Sequence, residues 1–178
     1  SITGIELQKE LANLARQNVC LNKFDSFFSI IEGDIGDCRS LIEPEIYSLI
    51  ISNPPFYAAG SGRLNTHPEA VAARHQGKAG LEPFIEAAAF ALQNRGRAVF
   101  VYPADKVIEL ISYLIVKRLI PKAIQFIYSY PEAEAASLVI VEAVKNGGSG
   151  TKIEQPLIIF QCPGGDYTKP VQSMFAAR

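Results

Sequence analysis

Short apolar runs of strand length alternate along this chain with segments of helical period, and that alternation confines it to an α/β architecture. Ile2 to Leu7 reads as a strand ending near Glu6. Gln8 to Asn22 follows as a helix, with Leu7, Leu11, Leu14 and Leu21 at helical spacing and Ala15 and Val19 widening the stripe. Ser26 to Glu32 reads as a second strand, closed by Gly33-Asp34, and Tyr47 to Ser52 as a third. Leu81 to Gln93 fits an amphipathic helix with Pro83 in its first turn and Gly96 as its stop. Arg97 to Tyr102 is a strand, and Asp105 is expected to cap a helix running to about Arg118. Ala123 to Tyr130 and Leu138 to Val144 are two more strands. Their link, around Pro131-Glu132-Ala133-Glu134, is short enough to imply an antiparallel hairpin at a sheet edge. Asn146 to Gly150 reads as a flexible turn or linker, Lys152 to Phe160 as one further strand, and the remainder as an irregular tail. The expected organisation is a core over residues 1–145 and a linker with C-terminal strand and tail over 146–178.

Composition narrows the class. The 178 residues suit one domain with its own core, and 48% apolar with 20% charged residues describes a folded, soluble chain. Runs such as Leu49-Ile50-Ile51 and Leu157-Ile158-Ile159-Phe160 are too short to span a bilayer, and no secretory signal is recognisable. Cys20, Cys38 and Cys162 are odd in number and lack metal-ligand spacing, which points to reduced thiols in the cytoplasm. A net charge of −1 gives no global basic field, so a nucleic-acid partner would need a local patch. The opening Ser1-Ile2-Thr3-Gly4-Ile5-Glu6 reads like a strand already under way, as in the remainder of a longer protein.

Three strands end in polar groups, and in open α/β sheets ligands bind beyond the carboxyl ends of the strands. Glu6 closes the first; a carboxylate there accepts both hydroxyl hydrogens of a ribose. Asp34 follows the second, placed to accept from an adenine amino group. Asn53 follows the third and opens the run Asn53-Pro54-Pro55-Phe56. Its side-chain carbonyl is an acceptor, the prolines hold the backbone rigid, and Phe56 presents a flat face. Such a set suits a planar ring bearing an amino group. Asn-Pro-Pro after a strand also serves simply to end it, as an acid serves to cap a helix; three such groups at equivalent places, in order, favour a site.

Between the third strand and the next helix lies a long loop, Ala58 to Gly80, of the kind that is functional or mobile. From Arg63 to Lys78 it carries Arg63, Arg74 and Lys78 with His67 and His75 against the single acid Glu69. That basic excess suits RNA phosphates or, equally, a solvated loop.

Gly4-Ile5-Glu6, Gly33-Asp34 and Asn53-Pro54-Pro55-Phe56 resemble consecutive motifs of the class I S-adenosylmethionine-dependent methyltransferases. The Asn-Pro-Pro-aromatic motif is the mark of their amino-methyltransferase branch. With Ala73-Arg74-His75 and the terminal hairpin, the chain is most similar to bacterial tRNA(Val) adenine-N6 methyltransferases. The resemblance implies a Rossmann-like sheet, mostly parallel with an antiparallel C-terminal hairpin. It implies S-adenosyl-L-methionine as cofactor and RNA, tRNA in particular, as substrate, with no metal and no membrane. It implies that Glu6 holds the cofactor ribose and that Asp34 and Ile35 contact its adenine. Asn53 and the Pro54 carbonyl would accept hydrogen bonds from the target amine, within the catalytic set Asn53, Pro54, Pro55 and Phe56, and Phe56 would stack on the base. Tyr57, Arg74 and His75 are the weaker candidates for substrate contact.

The chain departs from the family in one respect. The strand and glycine-rich turn that precede Ile2 in relatives are absent, and Asn146 to Gly150 follows the last core strand and so is no substitute. The missing strand belongs between those of Glu6 and Asn53, so the sheet is expected to have a gap, or exposed edges able to pair with another chain in a homo-oligomer. The alternatives are an acceptor such as a protein glutamine, guanine N2 or a small molecule, and a non-catalytic Rossmann-like module.

Overall fold

The computed structural model describes residues 1–55 and 80–176. The chain opens with β1 (Ile2–Glu6), α1 (Lys9–Leu21) and β2 (Phe28–Glu32), then a 3₁₀ turn (Ile35–Asp37), the single-turn α2 (Cys38–Leu41) and β3 (Tyr47–Ser52). It continues through α3 (Glu82–Ala91), β4 (Leu92–Pro103), a second 3₁₀ turn (Ala104–Lys106), α4 (Val107–Val116), β5 (Leu119–Tyr128) and β6 (Leu138–Lys145). Two dipeptide strands, β7 (Lys152–Ile153) and β8 (Leu157–Ile158), and a last helix, α5 (Lys169–Ala176), complete it.

The strands form two sheets. β1 and β2 pair in parallel, Ile2 opposite Phe28 through Glu6 opposite Glu32. The larger sheet has the order β3-β4-β6-β5-β7, with β8 also on β5. β3 and β4 are parallel, whereas β6 runs antiparallel to both of its neighbours, as the short 129–137 connection requires. The expected mostly parallel, Rossmann-like sheet with a terminal hairpin is therefore present. So is the expected gap: no hydrogen-bonded ladder joins β1 to β3 among the described residues.

The core lies on one face of the larger sheet. Ala98, Phe100 and Tyr102 alternate inward on β4, and their partners Ala143, Val141 and Val139 are buried with them. Ile85, Ala88 and Leu92 from α3 and its end, with Leu110 and Leu114 from α4, close over that layer. Residues paired in register share a face. Ile50 and Ser52, opposite Ala98 and Phe100, therefore face the core, and Leu49 and Ile51 face the other way, 43% and 71% exposed. α1 packs on β1 and β2, while the first 3₁₀ turn and α2 pack against α3 and so join the small sheet to the large one. The Arg39 guanidinium over the Phe90 ring, at 4.7 Å, reinforces that junction.

Several local expectations need correcting. Lys152 to Phe160 is not one strand, because Pro156 has no N–H to give and the ladder along β5 is broken into β7 and β8. The tail is not irregular: α5 forms, with Thr168 accepting from the Gln172 N–H at 2.9 Å. Asp105 does not cap α4; it lies inside a 3₁₀ turn, and the helix starts after Lys106 without a side-chain cap. The helix before β4 ends at Ala91, and Gly96 sits in an irregularity of the β3–β4 ladder. A Cβ at Gly96 would lie 2.9 Å from the Gln93 carbonyl and 3.1 Å from that of Tyr47, so only glycine fits. Asn146 to Gly150 is fastened, since the Lys122 ammonium donates to the carbonyls of Gly148, Ser149 and Gly150 at 2.5, 3.0 and 3.2 Å.

Candidate cofactor and acceptor site

Glu6 is the last residue of β1 and half-buried. Its Oε1 accepts from the Gln8 backbone N–H at 2.8 Å, which fixes the carboxylate at the entrance to α1. Its backbone carbonyl accepts from the Gly33 N–H at 3.0 Å, which extends the pairing one step past β2. No contact engages Oε2 among the described residues, so one carboxylate oxygen stays available beyond the strand end.

Gly33 follows β2 where the Leu41 side chain packs close: a Cβ would lie 2.7 and 2.9 Å from the two Leu41 methyl carbons, which would have to move. The next residue, Asp34, is extended, and its Oδ1 accepts from the Gly36 N–H at 2.8 Å. It thereby caps the 3₁₀ turn, leaving Oδ2 as the outward acceptor, with Ile35 half-buried beside it. Local sequence thus holds both acids through backbone donors, each with an oxygen to spare.

On the far side of the gap, β3 stops at Ser52 because two prolines follow Asn53 and neither can donate to a ladder. Pro54 is fully buried while Asn53 and Pro55 are exposed. The buried ring anchors the turn, and the Asn53 amide makes no side-chain hydrogen bond to another described residue. Phe56, Tyr57, Arg74 and His75 lie outside the described residues.

Tyr102 is a residue that sequence reasoning passed over. Ser52 pairs with Phe100, and two residues on from that pair lie Pro54 and Tyr102, both buried. Burial pushes the Tyr102 hydroxyl above its ordinary pKa, with Glu109, Asp105 and Tyr113 adding to the shift. Its position at the carboxyl end of β4, directly before Pro103, was the available signal.

The remaining described residues exclude little and add little. No group of three His, Cys, Asp or Glu side chains is arranged to hold a metal ion among them. None of the described helices is long and apolar enough to cross a membrane.

No family model matches the chain. It is 30% identical over 140 residues to a curated tRNA1(Val) (adenine(37)-N6)-methyltransferase of Porphyromonas gingivalis, covering 78% of this chain and 54% of that protein. A relative of the same name from Aeromonas salmonicida is 29% identical over 110 residues, covering 62% of this chain and 44% of the relative. The chain spans about half the length of the curated relatives it matches. Among solved structures, a predicted O-methyltransferase of Agrobacterium tumefaciens superposes with a TM-score of 0.72 at 19% identity, covering 97% of this chain and 75% of that one. A protein of Listeria monocytogenes assigned to the class I S-adenosylmethionine-dependent methyltransferases gives 0.56 at 17% identity, over 98% of this chain and 53% of that one. The fold is that of the class I methyltransferases. Within that class, the tRNA1(Val) adenine-N6 methyltransferases are homologues of this chain.

Proposed function

We propose that the protein to which these residues belong transfers a methyl group from S-adenosyl-L-methionine to the exocyclic amino nitrogen of adenine in tRNA. The observation that supports this most is Asn53: exposed, without a side-chain hydrogen bond to another described residue, and fixed by a buried proline just after β3. A polar amide presented in this way is an acceptor waiting for a donor. The relatives at about 30% identity are named for methylation of adenine N6, and an adenine amino group is a donor of two hydrogens.

The adenine amino lone pair is delocalised into the ring, which makes the free amine a poor nucleophile. The Asn53 side-chain carbonyl and the Pro54 backbone carbonyl would accept hydrogen bonds from its two N–H groups and favour the pyramidal nitrogen; as the N–CH3 bond forms and the S–CH3 bond breaks, the nitrogen sheds one proton to solvent. Their contribution is positioning and charge stabilisation, with no covalent intermediate on the protein. The residues present fit the cofactor: Glu6 has an oxygen for the ribose hydroxyls, and Asp34 has one for the adenine amino group. When bound, S-adenosyl-L-methionine supplies an electrophilic methyl group on its sulfonium. Phe56 offers a face for the extruded base, and Tyr57, Arg74 and His75 are assigned to the substrate RNA. We place the protein in the cytoplasm, in keeping with its three free thiols.

The test is transfer of labelled methyl by the natural full-length protein to bulk tRNA, with release factor as the competing acceptor. Label in tRNA recovered as N6-methyladenosine supports the reading. Label in protein glutamine, or in neither acceptor while the cofactor binds, contradicts it.

A further inference from the structure

The acceptor turn is anchored by a proline ring. Asn53 and Pro55 are exposed, and Pro54 between them is fully buried. Whatever the Pro54 ring rests on therefore sets where the Asn53 amide and the Pro54 carbonyl stand beyond β3. Groups that act by positioning tolerate little displacement: a shift of about 1 Å costs on the order of 10²-fold in rate. The support beneath Pro54 is accordingly part of how the turn works.

The register of β3 with β4 points to that support. Ile50 pairs with Ala98 and Ser52 with Phe100, on the face that packs against α3 and α4. Asn53 and Pro54 each precede a proline, which disfavours helical backbone and keeps both extended. The chain past Ser52 thus continues along the line of its strand, and the row Ile50, Ser52, Pro54 runs beside the row Ala98, Phe100, Tyr102. Tyr102 is 2% exposed and belongs to the same buried cluster as Leu110 and Leu114. The same alternation accounts for Asn53, which falls on the opposite parity and is exposed. The Tyr102 hydroxyl makes no hydrogen bond to another described residue, and no buried side-chain oxygen among the described residues lacks a partner. Its oxygen is therefore the atom that reaches the surface, and the ring is the part that packs.

We propose that the Tyr102 ring is the seat of Pro54, and that Tyr102 is a positioning residue for methyl transfer, acting through the acceptor turn. A proline ring laid against an aromatic ring makes a broad apolar contact that fixes height and tilt together. An aliphatic side chain at position 102 leaves space beside Pro54 into which the turn relaxes. Glu6 and Asp34 belong to the other sheet and its following turn, so the cofactor half does not depend on Tyr102. The inference rests on the methyl-transfer reading and adds to it the residue behind the acceptor carbonyls.

Variants of the natural full-length protein test it. Tyr102→Leu (or Tyr102→Met, closer in volume, if the first does not fold) is expected to lower kcat for methyl transfer to tRNA by about tenfold or more. KM for tRNA and affinity for S-adenosyl-L-methionine are expected to stay within about twofold of wild type. Tyr102→Phe, which keeps the ring, is expected to retain wild-type kcat. Leu114→Ala, in the same cluster but on α4, is expected to lower the unfolding midpoint and leave kcat unchanged. An undiminished kcat in Tyr102→Leu overturns the proposal. So does an equal loss in Leu114→Ala, which marks a general loosening of the core, or in Tyr102→Phe, which puts the effect in the hydroxyl. The contact has its own readout: Pro54→Ala combined with Tyr102→Leu is expected to lower the unfolding midpoint by clearly less than the sum of the single shifts. Additive shifts contradict a shared contact. A wild type that transfers no methyl group fails the methyl-transfer reading and this inference with it. A wild type that transfers, with Tyr102→Leu equally fast, fails this inference alone.

Discussion

The Gly33 N–H donates to the Glu6 carbonyl at 3.0 Å, so the last hydrogen bond between the first two strands joins Glu6 to the residue directly before Asp34, the two acids of the proposed cofactor half. Glu6 and Asp34 are thereby fixed relative to each other by backbone, and their free oxygens are set by the register of β1 and β2. A change in either turn is felt by both acids.

Gly33→Ala is the sharpest probe of that coupling. The new methyl would lie 2.7 and 2.9 Å from the Leu41 methyl carbons, so the Leu41 side chain must give way, at a cost of about 1 kcal/mol. Urea unfolding should register that loss. Adding Leu41→Ala should relieve the clash, so the double variant should be more stable than the sum of the two single effects.

Glu6→Gln separates charge from shape. The amide oxygen can still accept from the Gln8 N–H, so stability should change by less than about 1 kcal/mol. Affinity of the full-length protein for S-adenosyl-L-methionine, measured by calorimetry, should fall by roughly tenfold or more, because a charge-assisted hydrogen bond to the ribose is replaced by a neutral one.

Lys145 tests what holds the base of β3. Its side chain is 12% exposed, and its ammonium donates to the Leu92 carbonyl at 2.7 Å and to Glu45 at 2.9 Å. The Glu45 side chain is largely in solvent, so the ion pair itself is worth well under about 1 kcal/mol. The carbonyl contact matters more. Lys145→Met should cost about 1–3 kcal/mol in denaturant unfolding and Glu45→Gln much less, with cofactor affinity unchanged in both.

The Cys38 thiol is buried, and burial raises its pKa above the ordinary thiol value despite the opposing charge of Arg39. At pH 8 iodoacetamide should therefore modify the exposed Cys20 and Cys162 well before Cys38. Because the folded state holds this proton more tightly than the unfolded state, its contribution to stability is complete below the ordinary thiol pKa. It declines as pH rises through the raised value.

Much of this molecule was legible in its sequence, for reasons that differ from residue to residue. β1 through β6 were visible because their apolar runs are bounded by strong signals: Gly33-Asp34 after β2, Asn53-Pro54-Pro55 after β3, and a connection before β6 too short for anything but a hairpin. The gap was expected from the family resemblance, which implies a strand between those of Glu6 and Asn53, and among the described residues no ladder joins β1 to β3. What escaped notice depends on contacts remote in sequence. The split of β7 from β8 follows from pairing with β5, where the missing N–H of Pro156 matters. The 3₁₀ turn at Ala104–Lys106 replaced the expected Asp105 cap, whereas α5 was locally legible, with Val171, Met174 and Phe175 at helical spacing, although the segment was expected to be an irregular tail. Tyr102 came into consideration only through the register of Ser52 with Phe100, two residues before the buried Pro54 and Tyr102.

The central claim is that Asn53 presents an acceptor to the methyl-accepting amine, and Asn53→Ala in the natural full-length protein tests it most directly. The residue is exposed and makes no side-chain hydrogen bond to another described residue, so stability and cofactor affinity should hold. The rate of methyl transfer to tRNA should fall by roughly 10²–10³-fold, the loss expected for one oriented group acting on developing charge. Full transfer to RNA by Asn53→Ala, with normal cofactor binding, would contradict the account.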